Sequence, residues 1–275
     1  MSGGGRGRAD HELLDAAEDA LDAGEPEQAI ALCEAVLRED REHPGAWFVR
    51  GDALRMMERH AEARESFRRA ALAVPQHGAS WGAYARACFD SLAFDEARRA
   101  VSRALEVAPD LAEAWWVRGA LHEWDGRTDD AERTFRHAAW LDPDGFPLPH
   151  RLDDAQIEAA VDEALGGFPP ELQSVVAEVP VLVEDLPDSD LLRGYDPPAS
   201  PHALLGVFAG PTVQEQRGAG PWNGATPTIT LFRRNLERIA EDPAHLAEEL
   251  RVTLLHEIGH YLGLDEDDVA DRGLE

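Results

Sequence analysis

The densest chemistry in this sequence lies near its C-terminal end, in the stretch His256-Glu257-Ile258-Gly259-His260-Tyr261-Leu262-Gly263-Leu264-Asp265-Glu266. Two histidines four residues apart on a helix project from one face, so both imidazoles can hold a single zinc ion. Glu257 follows the first of them, where its carboxylate reaches a water on the metal without filling the coordination shell. Zinc lowers the pKa of bound water from near 16 to about 7. Glu257 can then accept the proton as water attacks a carbonyl and pass it to the leaving amine. The expected cofactor is Zn2+, the expected metal ligands include His256 and His260, and Glu257 is the expected catalytic base.

A helix has to present these groups, and the flanking residues specify one. Asp242 caps it and Pro243 takes its first position, an ordinary entry signal. The helix is expected over Ala244 to about Leu262. Leu250, Leu254, Ile258 and Tyr261 share one side, and Val252, Leu255 and Leu262 share another. A helix apolar over so much of its surface is buried. Two histidines and a glutamate within it could be hydrogen-bonded core residues, but burying them without partners costs several kcal/mol, and a metal relieves that cost. Gly263 can adopt the left-handed conformation that ends the helix, after which the chain turns back towards the site. Twelve residues follow Gly263 and none is His. The third ligand is therefore expected among Asp265, Glu266, Asp267, Asp268 and Asp271, or upstream; the same acidic cluster also reads as a solvated tail.

The rest of the second half supplies few further elements. Leu152 to Leu165 has helical spacing, and a short helix is expected from Glu171 to Ala177. Strands are expected at Val181–Val183, Leu204–Phe208 and Pro227–Phe232, the last alternating as a half-buried strand does. The Gly/Pro-rich stretch Gly210–Ala225 reads as a mobile loop. The strand from Ile229 to Phe232 is a candidate edge for pairing with an extended substrate, or else simply a core strand. Arg233 and Arg234 could meet substrate carboxylates or solvent. No role is assigned to the other, scattered histidines.

The first half repeats. Trp47, Trp81 and Trp115 stand 34 residues apart, as do Ala29, Ala63, Ala97 and Ala131, and Pro75, Pro109 and Pro143. Small residues recur at Ala17, Gly51, Ala85 and Gly119, and larger apolar ones at Cys33, Phe67, Val101 and Phe135. Each unit is a helix pair: the small residue admits a close second helix, and the proline closes the unit. This pattern resembles the tetratricopeptide repeat (TPR), as four units over 10–43, 44–77, 78–111 and 112–145. The first is the poorest, with Leu13 for the Trp and Arg41 for the Pro. The resemblance implies a curved trough that binds a peptide or protein partner. Phe48, Asp52, Arg55, Arg86, Phe89, Trp116 and Glu123 are expected to face it.

Residues 152–275 resemble the small bacterial zincin-like metallopeptidases of minimal size. The likeness rests on Val181-Leu182-Val183-Glu184, Leu205-Gly206-Val207-Phe208, Ile229 to Arg234, and the final His-Glu-Ile-Gly-His-Tyr-Leu-Gly-Leu stretch with its acidic cluster. Extended zincin motifs place the third ligand three residues after the glycine, which is Glu266 here; the family more often has Asp there. Asp265 or Asp267 could substitute.

The expected fold class is therefore mostly α: an N-terminal TPR α-solenoid followed by a small α+β zincin-like domain. The expected boundaries are a disordered N-terminus over 1–9, repeats over 10–145, a linker over 146–151 rich in proline, and the zincin-like domain over 152–275. Composition bounds the function. With 26 Arg+Lys against 54 Asp+Glu the net charge is −28, which disfavours nucleic acid as partner. Every basic residue is Arg. No apolar run suits a membrane span or a secretory signal, and two cysteines do not make a disulfide framework. A cytoplasmic zinc metallopeptidase, a hydrolase of peptide bonds acting on a peptide or protein substrate, is the expected function. The alternative is an interaction scaffold whose zincin domain is idle or structural.

Overall fold

Prolines and left-handed turns cut the first half of the chain into helices. The computed structural model describes residues 3–177, 179–217 and 226–264. It divides into two compact units, Met1–Leu148 and Pro149–Glu275.

The first unit carries eight helices among the described residues. They are α1 (Gly3–Asp22), α2 (Pro26–Glu39), α3 (Pro44–Met56), α4 (His60–Ala73), α5 (Gly78–Asp90), α6 (Phe94–Val107), α7 (Ala112–Trp124) and α8 (Thr128–Leu141). Each pair turns through a residue with positive φ: Gly24, Glu58, Leu92 and Gly126, again 34 apart. Glycine adopts that conformation freely, whereas Glu58 and Leu92 hold it under strain. The periodic small residues mark close approaches: a Cβ on Gly51 or Gly119 would stand 2.6 Å from the ring of Phe67 or Phe135. The periodic tryptophans clasp the junctions between units. The indole N–H of Trp47, Trp81 and Trp115 donates to the carbonyl of Arg41, Pro75 and Pro109 at 2.8, 3.1 and 2.7 Å. Helix α1 reaches back to Gly3, into the 1–9 stretch expected to be disordered.

The second unit is α+β. It contains α9 (Asp154–Gly166), α10 (Pro170–Val176), β1 (Val181–Glu184), α11 (Ser189–Arg193), β2 (Gly206–Ala209), α12 (Val213–Arg217), β3 (Thr228–Phe232), α13 (Arg233–Ile239) and α14 (Pro243–Leu262). The sheet order is β1-β3-β2, with β1 parallel and β2 antiparallel to β3. Helix α14 packs on β2, β3 and α9. Leu250, Leu254, Ile258 and Tyr261 are all buried there, together with Ile229, Leu231 and Leu236.

Three expectations are corrected. First, β3 is central and not an edge, because it pairs with β1 on one side and β2 on the other; with Ile229, Leu231 and Phe232 buried it is the core strand of the two readings. Among the described residues the open edges belong to β1 and β2. Second, α12 lies within the stretch 210–225 expected to be a loop, its entry closed by reciprocal bonds between Thr212 and Glu215. Residues 218–225 lie outside the described residues. Third, Arg233 and Arg234 are engaged by carboxylates of the chain itself. Arg233 binds Asp154 and Asp185 at 2.6 Å each, and Arg234 reaches the fully buried Glu237 at 3.0 Å.

Candidate metal centre

Helix α14 delivers the site. The Asp242 side chain accepts from the His245 amide at 2.8 Å, and Pro243 occupies the first turn. The helix ends at Gly263, whose φ of 88° is left-handed as the sequence suggested. Between these ends, His256, Glu257 and His260 line one cavity of about 520 Å3 together with Tyr195 and the residues of 203–208.

The two imidazoles converge. His256 Nε2 and His260 Nε2 stand 3.0 Å apart, with their rings nearly perpendicular at 80°. The His260 Nδ1 lies 3.2 Å from the carbonyl oxygen of Leu264, just past the left-handed turn. Only an N–H can face a carbonyl oxygen, so Nδ1 donates and Nε2 keeps its lone pair for the cavity. This arrangement fits zinc. Two nitrogens each about 2.0–2.1 Å from a tetrahedral zinc lie roughly 3.3 Å from one another, within a few tenths of an ångström of the spacing here. Glu257 is buried and lines the same cavity. Among the described residues, no three His, Cys, Asp or Glu side chains gather as a cation site. The expected third ligand, Glu266, and its alternatives Asp265, Asp267, Asp268 and Asp271 lie outside the described residues.

Strand β2 is pressed onto this helix. A Cβ on Gly206 would stand 2.8 Å from Thr253 Cγ2 and 3.3 Å from Glu257 Cγ. A side chain there would push the strand off the glutamate, so glycine sets the height of the cavity roof. On the other side, Gln214 of α12 approaches to 3.2 Å the position a Cβ would take on Gly263.

Sequence reasoning missed the support of this site. Glu237 accepts from Arg151 Nη1 at 2.7 Å, the Leu152 amide at 3.0 Å and Arg234 Nη1 at 3.0 Å. Asn235 donates to the carbonyls of Pro201 and Leu204 at 2.9 and 2.7 Å, tying the approach to β2 onto α13. Their only sequence signal is a run of polar residues directly after an apolar strand.

In the repeat unit the expected trough residues divide. Phe89, Trp116 and Glu123 are buried, and Arg86 lies 4.2 Å over the Trp116 ring and 3.2 Å from Asp90. Phe48 packs edge-on against Phe67. Asp52, half-buried, pairs with exposed Arg55 at 3.1 Å; burial holds its carboxyl above the usual range against the lowering effect of Arg55. Cys33 and Cys88 are free and buried, and burial pushes both thiols up to about 12.

Comparison with known proteins agrees with both halves. Residues 176–274 match the zincin-like metallopeptidase family model, and residues 14–83 and 54–122 match two tetratricopeptide-repeat models. No curated protein matches the chain. Among solved structures, the chain is similar to TTC0263, a thermophilic TPR protein of Thermus thermophilus, at 19% identity and TM-score 0.44, covering 49% of this chain and 75% of that one. It is similar to MamA from residue 41 onward of Desulfovibrio magneticus RS-1 at 18% identity and TM-score 0.44, covering 49% and 76%. It is also similar to pilF of Pseudomonas aeruginosa at 17% identity and TM-score 0.46, covering 58% and 68%. No described helix is long and apolar enough to cross a membrane. The chain thus joins a tetratricopeptide-repeat array to a domain of the zincin-like metallopeptidase family.

Proposed function

We propose that the C-terminal unit is a zinc-dependent metallopeptidase and that the repeat array binds a protein or peptide partner. One observation carries the enzymatic reading: two histidine Nε2 atoms face each other at 3.0 Å in a cavity that Glu257 also lines, beneath β2, an edge strand among the described residues. His256 and His260 would hold the ion, with Glu266 as third ligand. Zinc, when bound, supplies the Lewis acidity that brings water into reach of deprotonation at neutral pH. The residues do the rest. Glu257 takes the proton from water and delivers it to the leaving nitrogen. The outer edge of β2, unpaired among the described residues, pairs with the substrate backbone and holds it extended over α14. Free, buried thiols suit a reducing, cytoplasmic setting.

The test uses the purified full-length chain, replenished with zinc and assayed for metal content and for cleavage of a broad peptide library. Glu257→Gln should keep one zinc per chain and lose cleavage by about 10²–10⁴-fold. His256→Ala and His260→Ala should each lose the metal, and Glu266→Ala should weaken its retention. Cleavage by Glu257→Gln at the wild-type rate would remove that residue from the chemistry. Stoichiometric zinc without any cleavage would leave the scaffold reading.

A further inference from the structure

We infer that the cavity at the metal centre takes substrates bearing a cationic side chain, and that Glu249 recognises it; this rests on the metallopeptidase reading above. The cavity has two chemically different walls. Leu204, Leu205, Val207 and Phe208 make one side apolar. The other side is the face of α14. Beyond His256, Glu257 and His260, the ionisable group that α14 contributes to the described lining is Glu249.

Glu249 precedes His256 by seven residues, which is two helical turns on the same face and about 10.5 Å along the axis. An extended peptide advances roughly 3.3 Å per residue. A chain laid along the helix with its scissile carbonyl at the histidines therefore carries a side chain about three residues away over Glu249. The Glu249 side chain is 27% exposed, so it is shielded without being sealed. His245 Nε2 stands 3.1 Å from Glu249 Oε1, which fixes the carboxylate and leaves acceptor capacity for a guanidinium or ammonium. A second, independent argument points the same way. The chain carries a net charge of −28, a field that concentrates cationic chains and repels acidic ones. The local carboxylate turns that general attraction into a positional preference.

The test compares matched peptides carrying Arg, Gln or Glu at one position, scanned two to four residues to either side of the cleaved bond. Wild type should favour Arg over Glu in kcat/KM by ten-fold or more at one position. Glu249→Gln should reduce that ratio to the level seen at the other positions, and Glu249→Arg should invert it. The same labelled peptides are titrated by fluorescence anisotropy against Glu257→Gln and against Glu257→Gln/Glu249→Gln, each with matched zinc content. Tighter binding of the Arg peptide should depend on Glu249. If Glu249→Arg fails to fold, the conservative Gln variants decide the matter. A ratio unchanged between wild type and Glu249→Gln at every position overturns the inference, as does equal binding or no binding of all peptides. Cleavage without positional preference sinks only this inference. Positional binding without cleavage sinks only the peptidase reading.

Discussion

Gly51 and Gly119 each face a phenylalanine so closely that a methyl group would stand 2.6 Å from the ring. At the equivalent places the other repeats carry Ala17 and Ala85, and the positions of the phenylalanines are taken there by the smaller Cys33 and Val101. Volume is thus balanced across each pair, as close packing requires. Gly51→Ala should cost about 1–3 kcal/mol of stability in chemical denaturation. Combined with Phe67→Val, its cost should shrink, because the ring that it strikes is gone; a strictly additive double mutant would contradict this. The spacing of these residues is fully legible in the sequence, and so is the spacing of His256, Glu257 and His260. What periodicity could not reveal is the partner of Glu237. Its partner Arg151 lies 86 residues away, and no local pattern links the two.

Elements were legible where a run of residues is long and periodic. Helix α14 falls within a residue of its expected start and at its expected end. Strand order was not legible, because β1, β2 and β3 hold only four, four and five residues and differ mainly in what covers them. β1 leaves Leu182 and Val183 exposed, while β3 buries three of its five residues, and only the folded chain reveals that contrast. The short α13 was missed for a different reason: its seven residues bury a single apolar side chain, Leu236, and its arginines pair with carboxylates, so no apolar stripe marks it. Glu237 anchors that element with no exposed surface. Glu237→Gln should leave Arg151 and Arg234 poorly matched inside and destabilise the second unit by about 3–5 kcal/mol. Unfolding of that unit followed by hydrogen exchange measures it, and a loss under about 1 kcal/mol would show that the network contributes little.

At the scale of the whole chain, the 34-residue period identified the architecture of the first unit before any element was drawn, because a repeat cannot bury its apolar face alone. The second unit yielded its helix and motif but not the completion of its site, since the candidate third ligands fall in an acidic run with no apolar pattern to position them. Charge is the other global property. Exposed ion pairs contribute roughly 0–1 kcal/mol each and weaken in salt, whereas a net charge of −28 repels itself throughout. Repulsion should prevail, so Tm should rise as sodium chloride goes from about 10 to 200 mM, where the Debye length contracts from about 30 Å to under 10 Å. A falling Tm in differential scanning calorimetry would show that the arginine pairs dominate instead. The indole clasps between repeats have a longer-range consequence. Their acceptor is always a main-chain oxygen, which any amino acid supplies, so a duplicated or deleted gene segment of one repeat brings a working joint with it. As far as this bond is concerned, the array can change length, during evolution or at an engineer's bench, without a matching substitution on either side of the splice.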